Sequence, residues 1–309
     1  MNKKIKNQES GEKIENSLNL AGVGYTALAS FLWGILPLYW KLCSSVPSII
    51  ILGHRIFWSF LLLIAIAGIQ KSNKIFLVLK DRRLFSVLFI SGLLLGINWF
   101  TYIAAVNSGN IVEASMGYYI NPLFNAFLGI IFLRERLSLA QTISLILAGI
   151  GVLYLSISYG KIPYVSLILM ITFGFYSLLK KTTKLDSLTS LTVETMILAP
   201  LAAGFLLLQG VTGAPVFGNR SPLVILAILF SGLITSLPLF CFSEGAKRIP
   251  LSSVAFIQYL SPTFMLLIGI VVYREPFTPS HLVSFTCIWS ALGIASYSMI
   301  RQGRRKSRG

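Results

Sequence analysis

Five ionisable residues stand inside or at the edges of long apolar runs: His54, Arg55, Glu113, Glu194 and Glu244. A charge in such surroundings is expensive and turns toward a cavity, a partner or an interface. Arg55 or His54 can bind the anionic part of a solute, or exchange ions with Glu194. Glu113 or Glu194, if shielded from water, can carry a proton. The amides Asn98, Asn121, Asn125 and Gln258 must likewise bond something, because an unpaired polar group in hydrocarbon costs several kcal/mol. Asn121 precedes Pro122, and Ser261 precedes Pro262. A proline inside a helix removes one backbone bond and kinks the chain, which exposes carbonyl groups and makes Pro122 and Pro262 candidates for gating. Trp33, Tyr118, Tyr119 and Tyr259 add rings with an apolar face and a polar tip, suited to an amphipathic or aromatic ligand. Each of these residues also fits a structural role, as an ion pair, a packing device or a side chain reaching for the interface. Both readings stand at this point.

The elements that must position them follow from composition. The chain has 309 residues, 55% of them hydrophobic and 12% charged, whereas soluble domains carry about 25% charged residues. A nucleic-acid module is excluded despite the net charge of +16, since the basic residues lie between apolar runs and form no basic face. Spans of roughly 20 apolar residues suit a bilayer core of about 30 Å. Ten candidates result: 21–41, 47–69, 84–106, 111–133, 138–158, 162–180, 188–209, 222–243, 250–273 and 280–300. With the N-terminus inside, 21 of the 26 Lys and Arg residues fall on the cytoplasmic side. Basic residues near span ends are retained there, so both termini are expected in the cytoplasm. Cys43, Cys241 and Cys287 have no paired spacing, so neither a disulfide framework nor a zinc site is indicated. The chain shows no Walker loop, no H-E-x-x-H metal spacing and no G-x-S-x-G elbow. No catalytic residue, metal or cofactor is therefore expected.

The sequence repeats itself at an offset of 140 residues. Trp33-Gly34 falls on Phe173-Gly174 and His54 on Glu194. Tyr119, Pro122, Gly129, Arg134 and Glu135 fall on Tyr259, Pro262, Gly269, Arg274 and Glu275. Five spans per half is an odd number, so the second half must enter the membrane inverted. This is a common design among secondary transporters, which bind solute near the midplane between halves. The expected fold class is an all-α polytopic membrane protein with ten transmembrane helices in two inverted five-helix repeats. Its parts are a polar tail 1–20, repeats 21–158 and 162–300, and a basic tail 301–309.

Trp33-Gly34 to Lys41, His54 to Ser59, Gly96 to Trp99, Ala105 to Asn107, Glu113 to Leu123 and Phe132 to Arg136 carry a family likeness, continued by Phe256 to Thr263 and Tyr273 to Glu275. Together they resemble the RarD group of EamA transporters, in the drug/metabolite transporter superfamily. The resemblance implies an inner-membrane carrier of small molecules; the group's traditional label, chloramphenicol-sensitive protein, establishes no substrate. Expected partners are a small organic solute, the lipid bilayer, a proton as coupling ion and a second copy of the chain, but not nucleic acid. The competing class is an integral membrane enzyme or lipid-handling protein. That class calls for clustered acids or histidines, and His54 and His281 lie far apart in sequence.

Overall fold

The computed structural model describes residues 19–71, 74–107, 111–160, 164–212, 220–272, 274 and 279–307, with backbone alone at 103, 106–107, 111–116, 159, 212 and 299–307. Among the described residues every regular element is a helix. They are α1 (Leu20–Leu42), α2 (Ser48–Ile69), α3 (Lys74–Lys80), α4 (Arg82–Asn107), α5 (Ile111–Leu133), α6 (Leu139–Tyr159), α7 (Tyr164–Thr182), α8 (Ser187–Thr212), α9 (Pro222–Arg248), α10 (Leu251–Gln258), α11 (Leu260–Val271) and α12 (Pro279–Ser307). Eight apolar stretches are long enough to cross a membrane, α10 and α11 forming one of them, and α5 is apolar over Gly117–Leu133, the part of it whose side chains are described. The expected ten is thus met at eight among the described residues. The 280–300 stretch is not one of the eight, its side chains being described only as far as Ser298. The chain is a multi-pass membrane protein.

Local chemistry sets the helix ends. Asn19 accepts from the Gly22 amide at 3.1 Å, and Ser138 with Gln141 forms a reciprocal capping box before α6, each satisfying orphan amides of a first turn. Gly160 ends α6 at φ 73°, a left-handed conformation that glycine adopts without steric cost. Asp186 opens α8 by accepting from the Thr189 amide at 2.9 Å. Burial alone would raise its pKa, but the Thr189 bonds and the ion pair with Lys74 hold the carboxyl below its ordinary value.

Contacts sort the helix ends into two sets. At one, here called the basic end, the start of α1 meets the end of α9. There Lys181 Nζ on α7 donates to Ile249 O at 2.7 Å, and Lys247 Nζ on α9 donates to Leu185 O at 2.6 Å. At the far end Arg220, before α9, donates to Ser45 O at 2.6 Å, after α1. The helix packing repeats as the sequence does. α2 packs on α8, α5 on α10 and α6 on α12, while α1 packs on α9 and α11 as α7 packs on α4 and α5. A shift of 140 residues turns each of these pairs into itself or into another of them.

Small residues permit the approach, as between membrane helices generally, where lipid supplies no hydrophobic drive. A Cβ on Gly232 would stand 2.4 Å from the Trp58 carbonyl carbon, so α9 lies directly on the α2 backbone. A Cβ on Gly149 would meet nothing within 4 Å. Gly232→Ala should therefore lower the thermal unfolding midpoint of the detergent-solubilised protein, overpacking costing about 1–3 kcal/mol. Gly149→Ala should leave it unchanged or raise it, since alanine suits a helix interior better by about 0.5–1 kcal/mol.

Candidate functional site

Between the halves lies a cavity of about 340 Å³, at the small end of the range for ligand sites. Its walls come from the end of α1 (Trp33, Leu36, Pro37, Trp40), from Arg55 on α2, and from Asn98, Trp99 and Tyr102 on α4. Gly117, Tyr118, Asn121 and Pro122 on α5, Leu169 and Phe173 on α7, Thr235 and Leu239 on α9, and Gln258, Ser261, Pro262, Met265 and Gly269 on α10–α11 complete it. These are the halves of α1, α2, α4, α5 and α7 nearer the far end. Trp33 and Phe173, related by the 140-residue offset, touch edge to face at 5.6 Å, so matching positions meet at the cavity floor.

Arg55 dominates the cavity's electrostatics. Its Nε donates to Thr235 Oγ1 at 3.0 Å. Its guanidinium lies over the Trp40 ring at 4.7 Å and the Trp99 ring at 5.2 Å, with the Tyr39, Tyr102 and Tyr118 side chains nearby. The ring faces attract the cation but leave its net charge in place. No carboxylate among the described residues forms a salt bridge with it. Polar groups of both kinds flank it. Asn125 Nδ2 donates to Gln258 Oε1 at 2.7 Å, which leaves the Gln258 amide hydrogens available as donors. Asn121 Oδ1 is a buried acceptor without a hydrogen-bond partner. Pro122 and Pro262 bring no backbone N–H, so the carbonyls of Tyr118 and Gln258, one turn earlier and both on cavity-lining residues, lose their helical donors.

The two prolines nevertheless differ. The chain breaks at Tyr259 between α10 and α11, whereas α5 runs unbroken through Pro122. Where a kink is expected at each proline, the second half carries a full break in the helix and the first half keeps a continuous helix through Pro122.

Toward the basic end the bundle is closed by a core that includes Leu128, Tyr176, Leu191, Phe242, Leu251 and Ile257. Glu135 binds the first turn of α10, accepting from Leu251 N at 2.6 Å, Ser252 N at 2.9 Å and Ser252 Oγ at 2.6 Å. A carboxylate at a helix N-terminus is favoured by both the free amides and the helix dipole. Gly129 makes room for it, because a Cβ there would stand 2.8 Å from Glu135 Oε2.

Of the residues singled out from sequence, Trp33, Arg55, Asn98, Tyr118, Asn121, Gln258, Pro122 and Pro262 line the cavity. Asn98 is held there by Leu169 O at 3.0 Å and Thr172 Oγ1 at 2.9 Å. Asn125 lies behind Gln258 and orients it. Tyr119 and Tyr259 pack away from the cavity in a cluster with Ile288 and Ala291. His54 and Glu194, expected to face the cavity together, do not line it. Glu194 instead meets Lys180 at 2.8 Å, both being at most 1% exposed. Glu244 pairs with Arg248 one turn on. The Glu113 side chain lies outside the described residues. Lys180 reads from sequence as one more basic residue of a connection; only burial distinguishes it from Lys181 and Lys184. Trp40 and Thr235 were also not singled out, although Trp40 lies one turn after Trp33-Leu36-Pro37 on the same helix.

The EamA-like transporter family model matches the chain twice, over residues 20–157 and 162–297. An uncharacterized transporter, YojE, of Bacillus subtilis is 44% identical over 92% of this chain and 96% of its own length. Protein RarD of Escherichia coli is 38% identical over 93% of this chain and 97% of its own. A protein of known crystal structure superposes with a TM-score of 0.70 over 90% of this chain and 98% of its own, at 17% identity, which speaks to the fold alone.

The buried Lys180–Glu194 pair makes its own prediction. Removing one member leaves a charge without compensation, at a cost of about 3–5 kcal/mol, whereas replacing both by apolar residues costs much less. Glu194→Leu or Lys180→Met alone should lower the thermal midpoint well below that of the double variant, read as a double-mutant cycle in detergent.

Proposed function

Because this chain belongs to the EamA-like transporter family, we propose that it is a secondary carrier or facilitator that moves a small organic anion across a bacterial inner membrane by alternating access. One observation carries the choice of anion: Arg55 stands in an aromatic cavity with its charge uncompensated by any carboxylate among the described residues. A carboxylate on an aromatic or apolar body matches that cavity. The anion meets the guanidinium, the body lies among Trp33, Trp40, Trp99 and Tyr102, and a donor on the ligand meets Asn121 Oδ1. A charge-assisted bond to Arg is the strongest polar contact available there.

The two family-model matches and the repeating helix contacts support two inverted five-helix repeats, 21–158 and 162–300, spanning ten times. The distribution of Lys and Arg supports cytoplasmic termini, which turns the cavity away from the cytoplasm and makes the basic end the closed cytoplasmic side. In this reading Glu135 is a latch on that side. Arg134 and Arg274 share positive φ values of 53° and 54°, so the turn before the latch recurs before Glu275, its counterpart for the opposite side. Proton coupling through Glu113 or Glu194 belongs to the same proposal, and solute uptake indifferent to an imposed pH gradient would remove it.

Two measurements test the reading. In proteoliposomes, aromatic carboxylates should compete for the site while their neutral amides and chloramphenicol compete weakly. Arg55→Gln should weaken carboxylate binding by about tenfold or more, and Arg55→Lys by less, since an ammonium keeps charge but not the planar stacking between two indoles. Equal competition by acid and amide, or an unchanged affinity in a well-folded Arg55→Gln protein, rejects the anion. Separately, Glu135→Gln should raise the labelling rate of a cysteine at Val254 by an impermeant thiol reagent on the cytoplasmic face several-fold, while a cysteine at Thr235 labels more slowly from outside. Unchanged rates would show that Glu135 is a cap without a gating role.

A further inference from the structure

The 140-residue offset carries the cavity's Trp33, Leu36, Pro37 and Trp40 onto Phe173, Tyr176, Ser177 and Lys180, and Arg55 onto Thr195. Of these second-half positions Phe173 lines the cavity already described, and the rest are packed shut. Tyr176 and Ser177 are fully buried, and Lys180 and Thr195 are 1% exposed. The structure therefore holds one open site near the far end and, at the positions equivalent to it, a closed one near the basic end.

The closed site contains a cation of its own. Lys180 Nζ meets Glu194 Oε1 at 2.8 Å, donates to Ser190 Oγ and lies 5.3 Å from the Tyr176 ring centroid. Glu194 also accepts from Ser91 Oγ on α4 at 2.7 Å. The charged groups around the pair are Lys181 on α7, Asp186 before α8, and Glu244 and Lys247 on α9, Lys247 being close enough to feel Lys180, Glu194, Glu244 and Asp186. The architecture of a repeat does not require this pair. In the first half the equivalents of Lys180 and Glu194 are Trp40 and His54, which form no ion pair because an indole carries no charge. A buried pair also contributes little net stability compared with apolar residues of similar volume.

We infer that Lys180 is the anion-binding group of the cytoplasm-facing state, and that Glu194 is a resident anion which an incoming carboxylate displaces when the basic end opens. This rests on the two-sided, anionic-solute reading above. Arg55 and Lys180 then serve the same solute charge from opposite sides of the membrane. While the basic end is closed, Glu194 neutralises the idle cation; on displacement it keeps its bond from Ser91.

The test needs no identified solute. In a chain with Cys43, Cys241 and Cys287 replaced by alanine, Ser190→Cys reports on the site and Ser177→Cys on opening. Impermeant methanethiosulfonates bearing a sulfonate or a trimethylammonium group are applied to the cytoplasmic face, with rates normalised to a free thiol. The sulfonate-to-ammonium rate ratio at position 190 should be about tenfold higher with the native pair than in the doubly neutral Lys180→Gln, Glu194→Gln protein. Glu194→Asp, which keeps the charge but shortens its reach, should raise the ratio further, and benzoate should slow the sulfonate. Equal ratios in the native and doubly neutral proteins overturn the site. Absence of labelling at both 177 and 190 from that face overturns the two-sided reading and the site with it. A high ratio alongside an inert Arg55→Gln substitution leaves Lys180 standing and removes Arg55 as its counterpart.

Discussion

A polar group in the hydrocarbon of a bilayer has only the protein to bond with, and that constraint organises this structure. Serines and threonines within the helices return their hydroxyls to the carbonyl one turn earlier, as Thr26, Ser30 and Thr195 do. Asn98 ties α4 to α7, and Asn125 ties α5 to α10. Lys180 finds Glu194. Among the described residues Arg55 has no carboxylate partner and Asn121 Oδ1 accepts no hydrogen bond, and both line the cavity, where a ligand can reach them.

The same constraint separates the two ends of the bundle. At the far end, polar groups face a cavity shared with aromatic rings. At the basic end they are consumed in closing the bundle: lysines donate to the carbonyls of Ile249 and Leu185, and Glu135 accepts the free amides of α10. Each of these bonds joins a helix end to a different segment, so separating the segments would break several at once. That is the mechanical character the proposed gate requires, with Glu135 at its centre.

Sequence and structure diverge where equivalence is not identity. Matching positions in the two halves share helices and neighbours, yet His54 and Glu194 share no common cavity, and Pro262 lies beside a helix break that Pro122 lacks. One conformation of an asymmetric pair of repeats places equivalent residues in different surroundings. Tyr119 and Tyr259 adjoin the prolines in sequence but turn away from the cavity, because adjacent residues on a helix point about 100° apart. Those two tyrosines show why proximity to a motif did not suffice to place a side chain.

By itself the sequence determined the membrane class, the duplication, the family and most of the cavity's polar residues, since apolar length, charge bias and a constant offset are properties of the linear chain. Tertiary structure alone decided the partners. Lys180 belongs with Glu194 and not with its neighbouring lysines; Glu135 belongs to the first turn of a helix more than a hundred residues on; Arg55 lies between two indoles and a threonine from three other helices. Such pairings depend on how helices cross and on which side chains exclude water together, and neither is written in spacing along one chain.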